Sequence, residues 1–225
     1  MSKTVLVVGG SRGIGAAVAK HFHAKGDRIY SVSRSPSKAG EWIQADISTA
    51  QGICTIKEAI GSTTLDALLF MGGVWEKNAF TSGYNFLESS DKETRFVMGV
   101  NAIAPIELTR TLVENLAKAD NPRAIYIGAL SGLDNLASAE VANTASKFAL
   151  RGAIQALRIA LKQKQIGFTL INPGNVATEE VLLDIEEGRF SRQTPIPLKD
   201  IFSTIEWILG LSRSVEVGDV NLWQK

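Results

Sequence analysis

Cysteine is nearly absent: the 225 residues include one, Cys54. That excludes an internal disulfide and fits a reducing compartment. Neither sign of charge is in excess. Lysine and arginine number 24 against 23 aspartates and glutamates, a formal net charge of +1. With no basic stripe and no acidic tail, nucleic acid is not an expected partner. No uninterrupted apolar run reaches the ~18–20 residues of a membrane span. The chain opens Met1-Ser2-Lys3-Thr4 and runs straight into a strand-like segment, without the pattern of a signal peptide. These absences predict a cytoplasmic protein with no membrane partner. Histidine is scarce too. His21 and His23 fall in the first helical segment, on its expected solvent side, and no metal site is expected. Repeats, low-complexity tracts and linkers are missing.

What is present is an ordinary globular composition, 45% hydrophobic and 21% charged, in a length that suits one domain, residues 1–225. Apolar, β-branched runs predict strands at Thr4–Val8, Arg28–Val32, Trp42–Ala45, Leu65–Met71, Arg123–Ile127, Gly167–Asn172 and Asp219–Leu222. Helical patterns fall between them at Gly13–Lys25, Ala50–Ile60, Ser90–Val100, Pro105–Lys118, Ala142–Lys164 and Leu198–Leu211. Several strands are apolar on both faces, as strands covered by helices on both sides must be. The alternation predicts an α/β fold, a doubly wound, mostly parallel seven-stranded sheet with helices on both faces. Two irregular stretches, residues 74–89 and 179–197, follow the C-terminal ends of strands, where open α/β sheets bind ligands. They are the expected substrate loops.

The first strand leads into Val8-Gly9-Gly10-Ser11-Arg12-Gly13-Ile14-Gly15. A pyrophosphate needs a tight turn, close backbone approach and the N–H groups of a helix N-terminus, and glycine permits the first two. A glycine motif between a strand and a helix therefore reads as a nucleotide-binding loop, with Gly9, Ser11, Arg12, Gly13, Ile14 and Gly15 as its contacts.

The spacing of Gly9, Gly13 and Gly15 resembles the short-chain dehydrogenase/reductase family, and the resemblance extends over nearly the whole chain. Asp46-Ile47 resembles the segment that meets the adenine. Asn101 resembles the asparagine of the central helix, and Ser146-Lys147 the end of the active-site helix motif. Pro173-Gly174-Asn175-Val176-Ala177-Thr178 resembles the segment cradling the nicotinamide, with Pro173, Gly174, Val176 and Thr178 as contacts. The resemblance implies a single-domain Rossmann fold, a nicotinamide cofactor, a small-molecule substrate, and a homodimer or homotetramer packed through Pro105–Lys118 and Ala142–Lys164.

The NAD form of such a site ends its second strand with a carboxylate for the ribose 2′-OH. Here that strand ends Ser31-Val32-Ser33-Arg34-Ser35, with no acid. Arg34 and Arg12 would instead converge on a 2′-phosphate through charge-assisted bonds, with Ser33, Ser35 or Lys38 as further donors, so the expected cofactor is NADP.

The family's catalytic set is the point of departure. It joins a serine, a tyrosine and a lysine to an asparagine, here Asn101. Lys147 is present, but Asn143 stands four residues before it, where the family keeps its proton-donating tyrosine. A carboxamide hydrogen-bonds but does not titrate near neutral pH. In the serine window, Ile127-Gly128-Ala129-Leu130-Ser131-Gly132, Ser131 is the hydroxyl candidate, and Leu130 or Ala129 is the alternative occupant of the position. After the fourth strand the family's Asn-Asn-Ala-Gly is replaced by Phe70-Met71-Gly72-Gly73, whose glycines still admit the cofactor to the backbone. Tyr84, in the first substrate loop, is the candidate for a relocated acid. Tyr126 reads as core and Tyr30 lies on the nucleotide side. Trp42, Trp207 and Trp223 read as core or interface anchors, and Trp75 is a candidate for the pocket.

Three functions fit these residues. One is an NADP-dependent reductase of a conjugated carbonyl, with Asn101, Ser131, Asn143 and Lys147 as catalytic residues. Another is a non-catalytic NADP-binding sensor or partner subunit. The third is ordinary carbonyl reduction with a relocated acid.

Overall fold

The computed structural model describes residues 2–225. Seven strands form one sheet in the order β3-β2-β1-β4-β5-β6-β7. They are β1 Thr4–Val8, β2 Arg28–Ser33, β3 Glu41–Gln44, β4 Ala67–Phe70, β5 Arg123–Ile127, β6 Gly167–Pro173 and β7 Asp219–Leu222. Every pairing is parallel, so the one antiparallel allowance of the sequence-based expectation is unused. The helices are α1 Gly13–Ala24, α2 Ala50–Ile60, α3 Asp91–Met98, α4 Ala104–Ala117, α5 Val141–Ala160, α6 Glu179–Glu186 and α7 Leu198–Gly210.

Period-2 alternation along β1 sorts the two cores. Leu6 and Val8 face a layer holding Ile53 and Ile56 of α2, Leu108 and Leu112 of α4, and Leu150 and Ile154 of α5. Val5 and Val7 face the opposite layer, with Val18 and Phe22 of α1 and Ile201, Ile205 and Ile208 of α7. Burial on both faces is why β1 reads as a continuous apolar run.

From β1 the chain builds outward through β2 to β3, then crosses back to start β4 on the other side of β1. Loops from these two strands therefore part at the C-terminal edge of the sheet and leave a crevice between them. Val8 and Phe70 are register partners, so the two loops leave side by side. They nearly touch: a Cβ on Gly9 would lie 2.6 Å from the Gly72 Cα, and Gly9 has φ +88°. Only glycine suits that backbone and that spacing.

Two stretches differ from the sequence-based expectation. Residues 179–186, expected to be irregular, form α6, capped by the Thr178 hydroxyl, which accepts from Val181 N–H at 3.4 Å. The helix expected to end at Val100 instead passes through a π-helical turn, Gly99–Ile103, and continues into α4. The joined helix, Asp91–Ala117, is long and apolar enough to cross a membrane by length and composition, although its apolar residues are interrupted by polar ones. Half of its apolar stretch is buried in this fold, as in a core helix. His23 is exposed as expected, but His21 is half-buried: its ring stacks on Phe202 at 4.3 Å and it hydrogen-bonds Glu206 at 2.7 Å, joining α1 to α7.

Candidate active site

A cleft of about 470 Å³ runs along the C-terminal edge of β1 and β4. At one end lie Ser33, Arg34, Asp46 and Ile47; in the middle Gly9, Ser11, Arg12, Gly13 and Ile14; then Gly72, Gly73, Pro173, Gly174, Val176 and Thr178; and at the far end Ser131, Asn143 and Lys147. Of the expected site residues, Gly15 and Asn101 are the two that do not line it. Gly15 acts behind the loop, where a Cβ would sit 2.2 Å from the Gly9 carbonyl oxygen. Its role is close packing of α1 against the loop.

Asn101 is 2% exposed and sits in the π turn, a backbone irregularity often found at functional sites. Its carboxamide ties three elements. Oδ1 accepts from Val74 N–H at 2.9 Å, and Nδ2 donates to the Val74 carbonyl at 2.7 Å and to Ser146 Oγ at 3.0 Å. The post-β4 loop is thus fixed to α5, beside Gly73 and Lys147.

Helix α5 has no side-chain cap of its own. Glu76, from the same loop, supplies it. Glu76 Oε1 accepts from Ala142 N–H at 2.7 Å and Asn143 N–H at 3.1 Å, while the Tyr84 hydroxyl accepts from Val141 N–H at 3.2 Å. Negative charge at a helix N-terminus is favourable on dipole grounds as well. Glu76 is 2% exposed, and its Oε2 has no partner among the described residues. Its part escaped the sequence reading because a cap 66 residues upstream leaves no local signal.

These contacts set Asn143 and Lys147 on the cleft-facing side of α5. Asn143 is 3% exposed, and its carboxamide makes no hydrogen bond among the described residues. Lys147 Nζ donates to the Ile127 carbonyl at a long 3.4 Å. Burial pushes its pKa down to about 8, because desolvation penalises the ammonium. Ser131 lines the same end with Ala129 and Leu130, and so does Ser138, which sequence reasoning missed. Ser138 Oγ is 3.1 Å from Thr144 Oγ1, brought back to α5 by the turn that precedes the helix.

No tyrosine lines the cleft among the described residues. Tyr84, the candidate relocated acid, has its hydroxyl on the N-terminus of α5. Tyr126 is wholly buried against Thr109, and burial raises its pKa. Tyr30 lies beneath Arg28. Trp75 does line the cleft; Trp207 and Trp223 are half exposed and not core anchors. At the nucleotide end, Arg34 makes no ion pair among the described residues, and its guanidinium lies 6.0 Å from the Phe96 ring. Arg12 pairs loosely with Glu180 at 3.9 Å. The Ser33 hydroxyl is already used, donating to the Ser35 carbonyl and accepting from Trp42 Nε1, and neither Ser35 nor Lys38 reaches the cleft.

Residues 3–183 match the family model of the short chain dehydrogenases. The chain belongs to the short-chain dehydrogenase family. It is 25% identical over 207 residues to the short-chain dehydrogenase/reductase cdmF of Talaromyces verruculosus, covering 88% of this chain and 78% of that protein. The fold is shared with ElxO, solved with NADP bound (TM-score 0.84, 18% identity, 99% of this chain and 98% of that one). It is shared equally with 4-hydroxyisoleucine dehydrogenase, solved with NADH (TM-score 0.81, 22% identity, 99% and 98%). Proteins of this fold have thus been solved with NADP and with NADH.

Burial of Lys147 has a consequence for stability. Between about pH 8, its native value, and the ordinary lysine value of 10.5, the unfolded chain holds a proton the native chain lacks. Stability therefore gains with pH across that window through this group. Below it, the native protein carries the desolvation penalty. Lys147→Met should be the more stable protein in urea at pH 7, and its advantage should shrink toward pH 10. An advantage that stays constant across that range would mean Lys147 is not held charged in a dry site.

Proposed function

We propose that this chain is an NADP(H)-dependent oxidoreductase of the short-chain type that reduces a conjugated carbonyl, with a carboxamide where a phenol would act. The composition of the cleft carries the proposal: the Arg34 guanidinium at one end with Arg12 in the adjoining glycine loop, and Asn143 with Lys147 but no phenol at the other.

The residues fit a dinucleotide. The loop from Gly9 to Gly13 leaves backbone open at the N-terminus of α1, the usual seat of a pyrophosphate. Lys147 and Thr178 border the nicotinamide end. The 2′-phosphate assignment rests on Arg12 and Arg34. No acid ends β2. The Arg12–Glu180 pair is long and exposed, and such pairs contribute little in water, so Arg12 exchanges readily to a phosphate.

When bound, the cofactor supplies a hydride to an electrophilic carbon. The protein's part is to hold the oxygen that gains charge. Asn143 Nδ2 donates to that oxygen, the Ser131 and Ser138 hydroxyls stand beside it, and the Lys147 ammonium adds a positive field in a buried site. A carboxamide stabilises an oxyanion without protonating it. That would suit a conjugated carbonyl, whose reduction at the β-carbon would leave negative charge on an enolate oxygen for Asn143 to hold, with water able to supply the α-proton. A simple alkoxide product would need an acid at the oxygen itself. On α4 and α5, the exposed Ile106, Phe148 and Ile159 support assembly of copies through these helices.

NADPH should bind more tightly than NADH by calorimetry. Arg34→Ala should remove about 1.5–3 kcal/mol from NADPH binding, the value of a hydrogen bond to a charged group, and leave NADH nearly unchanged. Equal affinities in the native chain would overturn the NADP assignment. In a panel of enones, quinones, ketones and aldehydes, NADPH absorbance should fall with conjugated carbonyls alone. Tight NADPH binding with no turnover anywhere would instead favour a sensor.

Asn143→Tyr places a phenol one helical turn from Lys147, whose charge lowers the phenol pKa. Activity on simple ketones should then rise by ~10²–10⁴-fold, the usual value of a positioned general acid. A variant that binds NADPH normally yet stays inactive on ketones would show that the missing acid is not the sole block.

A further inference from the structure

Beyond Asn143 the cleft opens onto an aromatic cluster drawn from both substrate loops. The rings of Trp75 and Phe80 lie 6.1 Å apart and those of Phe80 and Phe190 6.4 Å apart, both edge-on. Trp75 is 54% and Phe80 40% exposed, so each offers ring surface to the cleft. Phe80 is held there against its backbone preference. Its φ is +64°, rare for a bulky residue, and its N–H donates at 2.8 Å to Glu140, a buried carboxylate beside the start of α5. A side chain placed for packing alone has no need of a left-handed backbone, and this one leaves its ring uncovered.

The charges around the cluster are equally selective. The cations lining the cleft are Arg12, Arg34 and Lys147, all at positions the cofactor would take. Of the acids at the cluster, Glu140 accepts from the Phe80 N–H and Asp184, whose carbonyl accepts from the Phe190 N–H, is bonded to Arg189 at 2.6 Å; Glu180 lies against the glycine loop and pairs with Arg12. A carboxylate or phosphate on the substrate would meet no unpaired cation lining that part of the cleft, because Arg189 is held by Asp184 and Glu187. At the cluster the one lining hydroxyl, Thr81, is spent on the Asn78 carbonyl, while Ser131 and Ser138 line the same end of the cleft as Asn143, where one carbonyl oxygen would sit.

We propose that Trp75, Phe80 and Phe190 form a stacking site that selects a neutral, flat, aryl-bearing carbonyl compound, its carbonyl directed at Asn143. This deepens the function proposed above and rests on it for the orientation of the carbonyl. Aromatic rings on the substrate meet ring faces and edges at favourable distances, and the strained Phe80 is the residue that shapes the fit.

The test measures binding, not turnover. Three probes are titrated by calorimetry into the free chain and into the chain saturated with NADP⁺: a neutral diaryl enone, the same compound with a ring carboxylate, and an acyclic aliphatic enone of similar size. The neutral diaryl enone should bind at least about tenfold more tightly than the other two, and Phe80→Ala should weaken it by about tenfold, the scale of one lost ring contact with its buried area. Phe80→Tyr should restore the affinity, and NADP⁺ binding should be unchanged in both variants. Equal binding of the carboxylate or aliphatic probe, no binding of any probe, or indifference to Phe80→Ala would each overturn the stacking site. If NADP⁺ fails to bind while the diaryl enone binds the free chain with the same dependence on Phe80, the stacking site stands and the cofactor reading falls.

Discussion

The site depends on one buried carboxamide. Asn101 donates to and accepts from the backbone of Val74 and donates to Ser146, so the loop after β4, the π turn and α5 are fixed relative to one another. Each partner is buried or half-buried, where an unmade hydrogen bond costs about 1–3 kcal/mol. Moving one of the three elements alone would break these bonds. Glu76 strengthens the same joint from the same loop by capping α5. The far end of the cleft is built before any ligand arrives, which is the condition for placing a reacting atom well.

That joint also positions the two residues on which the proposed chemistry rests. Asn143 sits third in α5, its N–H held by Glu76, with Lys147 one turn further on. On the proposed reading, this scaffold aims a carboxamide where a phenol would act, and a carboxamide donates to an oxyanion without transferring a proton. The tyrosines that remain in the chain are committed elsewhere, to the α5 cap, to the core beneath Thr109 and to the Arg28 contact.

Much of this was legible from sequence. Strands buried on both faces show as apolar β-branched runs, and all seven were placed to within a residue or two. The glycine loop declares itself because close approach to Gly72 tolerates no side chain. The segments that resemble the family gathered around one cleft, as their order along the chain implied. What escaped was non-local or short. Helix α6 has no buried residue, so it carries no apolar stripe, although Thr178 followed by Glu179 and Glu180 is a helix-start signal. Glu76, Ser138 and the pairing of His21 with Glu206 and Phe202 act through contacts that no local pattern encodes.

On the proposed reading, the cleft delivers hydride from a nicotinamide to a conjugated carbon held beside Asn143. Incubating the chain with an aryl enone and NADPH deuterated at the transferring position of the nicotinamide, and locating the label by mass spectrometry and NMR, tests it directly. The account predicts one deuterium on the carbon β to the carbonyl and a solvent-derived hydrogen on the α-carbon. Deuterium on the carbonyl carbon would contradict it, as would a reduced product with no label.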